Sequence, residues 1–443
     1  MNFLREANKN CMNSSFSRNR RIKSLLFFII CILLAIAPHS LNKGLYELLF
    51  LIISLVVLSY GFWVVSRIIQ TKSSKEKFIK DNLLSNLPTL DILVAARDEQ
   101  NVIGRLVDRL FKLDYPSEKL NIYIIDDGSS DNTPNILNAL SEKYSEMQII
   151  KRDITAGGGK SGALNDALKH SFGEWIFILD ADAQLKDDSL IRLLTFAING
   201  SWSAVQLRKS VMNVKKNLLT NCQAIEMAMD ASFQIGRSSA AGIGELRGNG
   251  QLLKRSVLIQ SGLFNEDTVT DDLDVSLRLL LFGHPIGILW NPPVMEEAVE
   301  NLPALFAQRQ RWAEGGLQRF FDYGSQLILG KLNVSQKFDL LYFFLLQYAL
   351  PIITLLDLVF SLFLTKTPMY WPISLSAFSL SAIASWCGCK INQEEPVLPK
   401  IDLFSMLLYL IYLSHWFIVI PLVALKMSIF PKKILWKKTL HKG

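Results

Sequence analysis

Apolar residues crowd the two ends of this chain and thin out in its middle, and that distribution restricts the folds open to it. Segments 24–38 and 45–69 near the start, and 338–364, 370–389 and 403–430 near the end, read as membrane-embedded. A crossing helix needs roughly 20 apolar residues, which makes 45–69 and 338–364 the strongest and leaves 24–38 short. A secretory signal is the alternative for 24–38, because Arg18, Arg20, Arg21 and Lys23 precede it and Ala35-Ile36-Ala37 resembles a cleavage site. Pro38 directly after that site would hinder cleavage, and 45–69 would return the chain inward in either case. The expected division is 1–74, a polar N-terminus with membrane segments; 75–336, a folded domain; and 337–443, a C-terminal membrane and interfacial region.

Half of the 443 residues are hydrophobic and the net charge is +7. The basic residues gather beside the apolar segments, at 18–23, at 67–80 and at Lys432, Lys433, Lys437 and Lys438. That pattern follows the positive-inside rule and attraction to anionic lipid, and it puts 75–336 on the cytosolic side. No basic patch stands out within the middle domain, so a nucleic-acid partner is not expected. Three C-terminal crossings would carry the lysine-rich tail outside. Either one segment lies in the interface, with the serine-rich 370–389 the weakest, or the tail departs from the rule. The five cysteines are scattered, and Cys387 and Cys389 have no histidine nearby. This usage suits a reducing compartment and not a metal framework.

Within 75–336, short apolar runs at 90–95, 121–126, 147–151, 174–180, 204–207 and 285–290 predict strands. Helical periodicity predicts helices over 99–111, 132–144, 160–171, 187–199, 215–235, 272–282 and 300–322. Such alternation implies an α/β domain with a mostly parallel sheet covered by helices. Ligands on these sheets bind beyond the carboxyl ends of the strands, and the polar motifs fall there.

Asp180 and Asp182 (D-A-D) end the fourth run, where two carboxylates can hold a hard divalent cation, Mg²⁺ or Mn²⁺, against a diphosphate. Taken alone the tripeptide is more often a turn. Ala96, Arg97 and Glu99 close the first run, and Asp126 and Asp127 (D-D-G-S) close the second, positions suited to a nucleoside. A strand-end turn with Asp131 or Asn132 capping the next helix fits D-D-G-S equally well. Residues 157–165 (G-G-G-K-S-G-A-L-N) form a flexible entry to a helix whose N–H groups and Lys160 could cradle phosphate, without Walker spacing. Thr270 to Asp274 (T-D-D-L-D) opens a helix; its carboxylates favour that end electrostatically, yet crowding raises the pKa of one. Asp272 is the expected general base. Gln308 to Trp312 (Q-R-Q-R-W) sits on a helix, with Gln308, Arg311 and Trp312 on one face, for clamping diphosphate and bordering an acceptor. An interfacial amphipathic helix is the compatible alternative.

The order D-D-G-S, D-A-D, T-D-D, Q-R-Q-R-W resembles the membrane-bound inverting glycosyltransferases of family two, which include cellulose and hyaluronan synthases. The polymer synthases usually read T-E-D, so Asp271 replaces a glutamate and leaves Asp272 in register. The resemblance implies a GT-A (Rossmann-like) fold. It implies nucleotide-sugar contacts at Ala96, Arg97, Glu99, Asp126, Asp127, Lys160, Asp180 and Arg311, with metal at Asp180 and Asp182. It also implies a base at Asp272 and an acceptor and diphosphate side at Gly248, Asn249, Gln308, Arg309 and Trp312. The strings at 158–165, 204–209, 242–251, 270–274 and 311–316 are similar to the cyanobacterial β-monoglucosyldiacylglycerol synthase family. That likeness implies UDP-glucose and diacylglycerol as substrates, with Mg²⁺, in a cyanobacterial plasma or thylakoid membrane. A processive polysaccharide synthase is the competing expectation, and it would need more spans lined with polar and aromatic side chains. A catalytically silent scaffold would not need to keep all four motifs.

Overall fold

The computed structural model describes residues 19–40, 43–71, 87–391, 394, 398 and 401–430. Arg18, the basic run over 72–80, the expected boundary at 75 and Lys432, Lys433, Lys437 and Lys438 lie outside the described residues.

Among the described residues seven strands form one sheet in the order β3-β2-β1-β4-β6-β5-β7. They are β1 (Leu90–Ala96), β2 (Leu120–Asp127), β3 (Met147–Arg152), β4 (Trp175–Asp180), β5 (Ala204–Val211), β6 (Gln251–Lys254) and β7 (Ile286–Glu296). All pairings are parallel except those of β6, which runs antiparallel to β4 and β5. The six predicted runs are therefore strands, and β6 is the one the pattern missed.

Parallel strands are buried on both faces, which explains their near-continuous Val, Ile and Leu content. Alternate side chains of β1 divide between two cores. Ile92 and Val94 join Leu106, Leu190 and Leu193 on one face, while Leu93 and Ala95 join Leu164, Val275 and Leu279 on the other. Each fully buried aliphatic side chain of this kind contributes about 1.5–3 kcal/mol.

In chain order the helices are α1 (Arg20–Ser40), α2 (Lys43–Thr71), α3 (Ile103–Leu110), α4 (Thr133–Lys143), α5 (Gly159–Ala167), α6 (Ser189–Asn199) and α7 (Leu218–Ala241). They continue as α8 (Arg255–Gln260), α9 (Asp271–Leu281), α10 (Leu302–Leu329) and α11 (Val334–Leu364), the last containing a π-turn at Leu345–Ala349. The final three are α12 (Trp371–Lys390), α13 (Leu403–Leu413) and α14 (Trp416–Ile429).

Among the described residues five helical stretches are long and apolar enough to cross a membrane: Arg20–Ser40, Tyr46–Gln70, Val334–Leu364, Trp371–Lys390 and Leu403–Ile429. Segment 24–38 is thus the centre of a 21-residue helix, long enough to span, and not a short apolar run. The last stretch is interrupted at Ser414 and His415, which separate α13 from α14.

Helix α7 was expected as a cover for the sheet, but it also packs on the apolar helices. A Cβ on Gly236 would lie 2.7 Å from the Val64 carbonyl oxygen of α2, and one on Gly388 of α12 would lie 2.6 Å from the Ala228 carbonyl of α7. Small residues let helix backbones approach this closely. At the other side Ser24 of α1 donates to the Ala424 carbonyl of α14 at 2.9 Å. Arg20 ties α1 to α10 through a buried ion pair with Asp322.

Candidate active site

The carboxyl ends of β1 and β4 meet in register, Ala95 opposite Asp180, and open into a cavity of about 1290 Å³. Asp180, Asp182, Lys160, Asp272, Arg311 and Trp312 all line it. So do Arg20, Val423 and Phe430 of the apolar end segments. The cavity therefore joins three of the four motifs to helices built from membrane-compatible sequence.

Lys160 links two of those motifs. It projects from the start of α5, after Gly158 takes the left-handed φ of 71° that favours glycine. Its ammonium donates to Asp180 Oδ1 at 2.6 Å and lies 3.4 Å from the Gly248 carbonyl. Burial pulls the Lys160 pKa down, but Asp180, Asp271 and Asp272 outweigh it and the group is held above its ordinary value. It stays a cation, as a diphosphate partner must.

Asp272 stands in the first turn of α9. Burial, and then the neighbouring Asp271 charge, push its pKa up to about 6. Repulsion between carboxylates, which the sequence predicts, is present, but burial is the larger cause. The side chain keeps some exposed surface, but that surface faces the cavity. A Cβ on Gly248 would sit 3.3 Å from Asp272 Oδ2, so glycine there lets the backbone close on the carboxylate. Asp274 points elsewhere, bound to Arg278 at 2.7 Å and accepting from Tyr323. Asp271 Oδ2 is buried with no hydrogen-bond donor among the described residues.

Asp180 is the more exposed member of D-A-D, at 39% of its side chain, and Asp182 is buried and accepts the Glu297 N–H at 3.0 Å through Oδ2. No group of three or more His, Cys, Asp or Glu side chains among the described residues forms a metal cage. Two carboxylates beside a diphosphate still fit a hard cation, which commonly keeps waters and takes one or two protein ligands plus phosphate oxygens.

The helix motif on α10 divides its roles. Gln308, Arg311 and Trp312 line the cavity. Burial holds Arg311 below its ordinary pKa despite the pull of Asp180 and Asp272. Arg309, expected on the acceptor side, also borders the cavity, but its guanidinium is committed as a brace. It pairs with Glu226, donates to Tyr412 Oη at 3.0 Å and lies 4.0 Å from the Trp312 ring centroid.

Other expected residues sit apart from the cavity lining. Asn249 is fully buried; its Oδ1 accepts the Asp180 N–H at 3.1 Å, and its amide donates to Glu296 at 3.2 Å, bracketing β4 to β7. Asp126 accepts the Ser129 N–H at 3.0 Å, and Asp127 pairs with Arg152. Asp131 accepts the Thr133 N–H at 2.9 Å at the start of α4, as the turn reading of D-D-G-S anticipated. Glu99 and Ala95 reach the cavity, whereas Ala96 and Arg97 are not part of its wall.

Lys209 and Glu296 are among the lining residues to which the sequence assigns no role. Lys209 pairs with Glu296 at 2.8 Å and lies 5.7 Å from the Trp312 ring centroid. A lysine near the carboxyl end of an otherwise buried strand was the available signal for it.

A profile of the family described as "Glycosyltransferase like family 2" matches residues 88–315, from β1 through the first half of α10 with its Q-R-Q-R-W motif. The chain belongs to glycosyltransferase family 2. This glycosyltransferase is 40% identical over 359 residues to Beta-monoglucosyldiacylglycerol synthase from Synechocystis sp., spanning 80% of this chain and 75% of that one. It is 38% identical over 374 residues to the protein of the same name from Trichormus variabilis, spanning 84% and 80%. Among solved structures it superposes on mannosyltransferase PcManGT from Pyrobaculum calidifontis, in complex with GDP-Man and Mn²⁺, with a TM-score of 0.61. That alignment covers 87% of this chain and 99% of the other at 18% identity, so it speaks for the GT-A fold alone.

Proposed function

We propose that this glycosyltransferase moves glucose from UDP-glucose to the 3-hydroxyl of 1,2-diacylglycerol with inversion, giving β-monoglucosyldiacylglycerol. The observation that carries the reading is one cavity bordered by both Asp272 and the apolar helices α1 and α14. A diacylglycerol hydroxyl is available only at the headgroup plane, and such a cavity can meet it there. The likeness to synthases of that name supports the same choice.

In this mechanism Lys160 and Arg311 bind the diphosphate and Glu99 borders the nucleoside, whose side the family resemblance extends beyond the cavity wall to Ala96, Arg97, Asp126 and Asp127. Asp180 and Asp182 would hold Mg²⁺ or Mn²⁺, which when bound offsets charge on the departing UDP. Asp272 accepts the proton of the acceptor hydroxyl, and the oxygen attacks the anomeric carbon opposite the diphosphate, which inverts that centre. A carboxylate with a pKa near 6 is ionised at neutral pH yet basic enough to help. Trp312, braced by Arg309, borders the acceptor with Gln308 and Gly248. We further take 75–336 as the catalytic domain facing the cytosol between the membrane regions 1–74 and 337–443.

Incubating membranes that contain the full chain with radiolabelled UDP-glucose tests the reading. A chloroform-soluble glucolipid supports it, and an alcohol-insoluble polymer points to a processive synthase instead.

A further inference from the structure

The cavity extends past the motif residues along one face of α14. Trp416, Val423, Met427 and Phe430 line it, at successive spacings of seven, four and three residues. That repeat keeps side chains on one side of a helix. From Trp416 to Phe430, at the helix C-cap, the face runs about 21 Å at the helical rise, longer than the roughly 15 Å of hydrocarbon in one leaflet. Met227 of α7 and Phe343 of α11 border the same space.

Val423, Met427 and Phe430 offer a nucleotide or sugar hydroxyl no partner for the water it would lose, and the Trp416 indole N–H is already donated to Glu226 at 3.2 Å. A hydrocarbon chain gains by burial against this wall. Arg21 and Lys426 stand near the Phe430 end, the placement of cations at a headgroup plane.

We propose that this face of α14 is a slot for one fatty acyl chain of the acceptor, continuous with the space where Asp272 meets the hydroxyl. The inference rests on the diacylglycerol reading above and adds that acyl length governs acceptor choice. Val423 lies midway, about 10 Å from either end, so an indole there divides the slot into halves that admit an octanoyl chain and exclude an oleoyl chain.

The test uses the purified full chain in detergent, with UDP-glucose and either dioctanoylglycerol or dioleoylglycerol. For Val423→Trp the expected result is about a tenfold rise in KM for dioleoylglycerol, with KM for dioctanoylglycerol and for UDP-glucose changed by less than about twofold. Met427→Trp, at a half-buried position about 4.5 Å from the Phe430 end, is expected to raise KM for both diacylglycerols, and the volume-conserving Met427→Leu is expected to match the parent. UDP binding by each variant reports that it has folded. Equal effects on both acceptors in a UDP-binding Val423→Trp protein, or no effect on either in a UDP-binding Met427→Trp protein, would overturn the slot. A parent protein that glucosylates neither diacylglycerol would instead overturn the reading of function.

Discussion

Asp272 has a conflicted environment: burial and Asp271 oppose its charge, while Lys160 and Arg247 favour it. Because the base works only when ionised, kcat/KM is expected to rise with pH and level off above about 6, falling roughly tenfold per unit below that. Asp271→Asn removes a repelling charge, so the inflection should move to lower pH, which a pH–rate profile would reveal. Asp272→Asn keeps the shape but cannot take a proton. Transfer should drop by about 10²–10⁴-fold while UDP binding, read by calorimetry, stays within about threefold of the parent. Near-full transfer in that variant would remove Asp272 from the mechanism. Chelation by EDTA should stop transfer, and added Mg²⁺ or Mn²⁺ should restore it if Asp180 and Asp182 share a cation with the diphosphate.

At the scale of elements, helix contacts depend on glycines that side chains cannot replace. Gly236→Val forces a branched side chain against the Val64 carbonyl, a clash expected to cost about 1–3 kcal/mol. Gly324 of α10 has open space where a Cβ would go, so Gly324→Ala should stabilise by about 0.4–1 kcal/mol. Thermal unfolding in detergent would separate the two signs. The same scale shows what a reader of the sequence can reach. Buried parallel strands announce themselves because both faces need apolar side chains, and β1, β2 and β4 were plain for that reason. Strand β6 has four residues, Gln-Leu-Leu-Lys, directly after a glycine-rich loop, too short for any period to emerge. The apolar run over 285–290 marks only the first half of β7, because Asn291 and two prolines break the pattern before pairing with β5 resumes at Val294. The docking of α7 on α2 was hidden because its apolar face reads the same whether a sheet or a membrane helix covers it. Among site residues, Asp180, Asp272 and Lys160 were legible from charge at strand ends and helix starts. The partners of Asn249 and Arg309 were not legible, because a polar residue in a motif signals need without showing that Asn249 is bonded to Asp180 and Glu296 and Arg309 to Glu226 and Tyr412.

The molecule as a whole joins segments far apart in sequence around one cavity, and the joints are buried charges. Arg20, near the start, donates through Nε to Asp322 Oδ1 at 2.7 Å and through Nη1 to the Asp267 carbonyl at 2.7 Å. The second contact reaches the loop just before the T-D-D helix, so α1, α10 and the Asp272 end of the cavity are fixed by one guanidinium. Removing one partner of such a pair leaves the other buried and uncompensated, a loss of about 3–5 kcal/mol. Arg20→Ala and Asp322→Ala should therefore each lower thermal stability and glucolipid formation. The double variant should lose less than the sum of the two, because neither charge is then stranded. Additive losses would mean that the two side chains act independently and that their ion pair is not what holds α1 to α10.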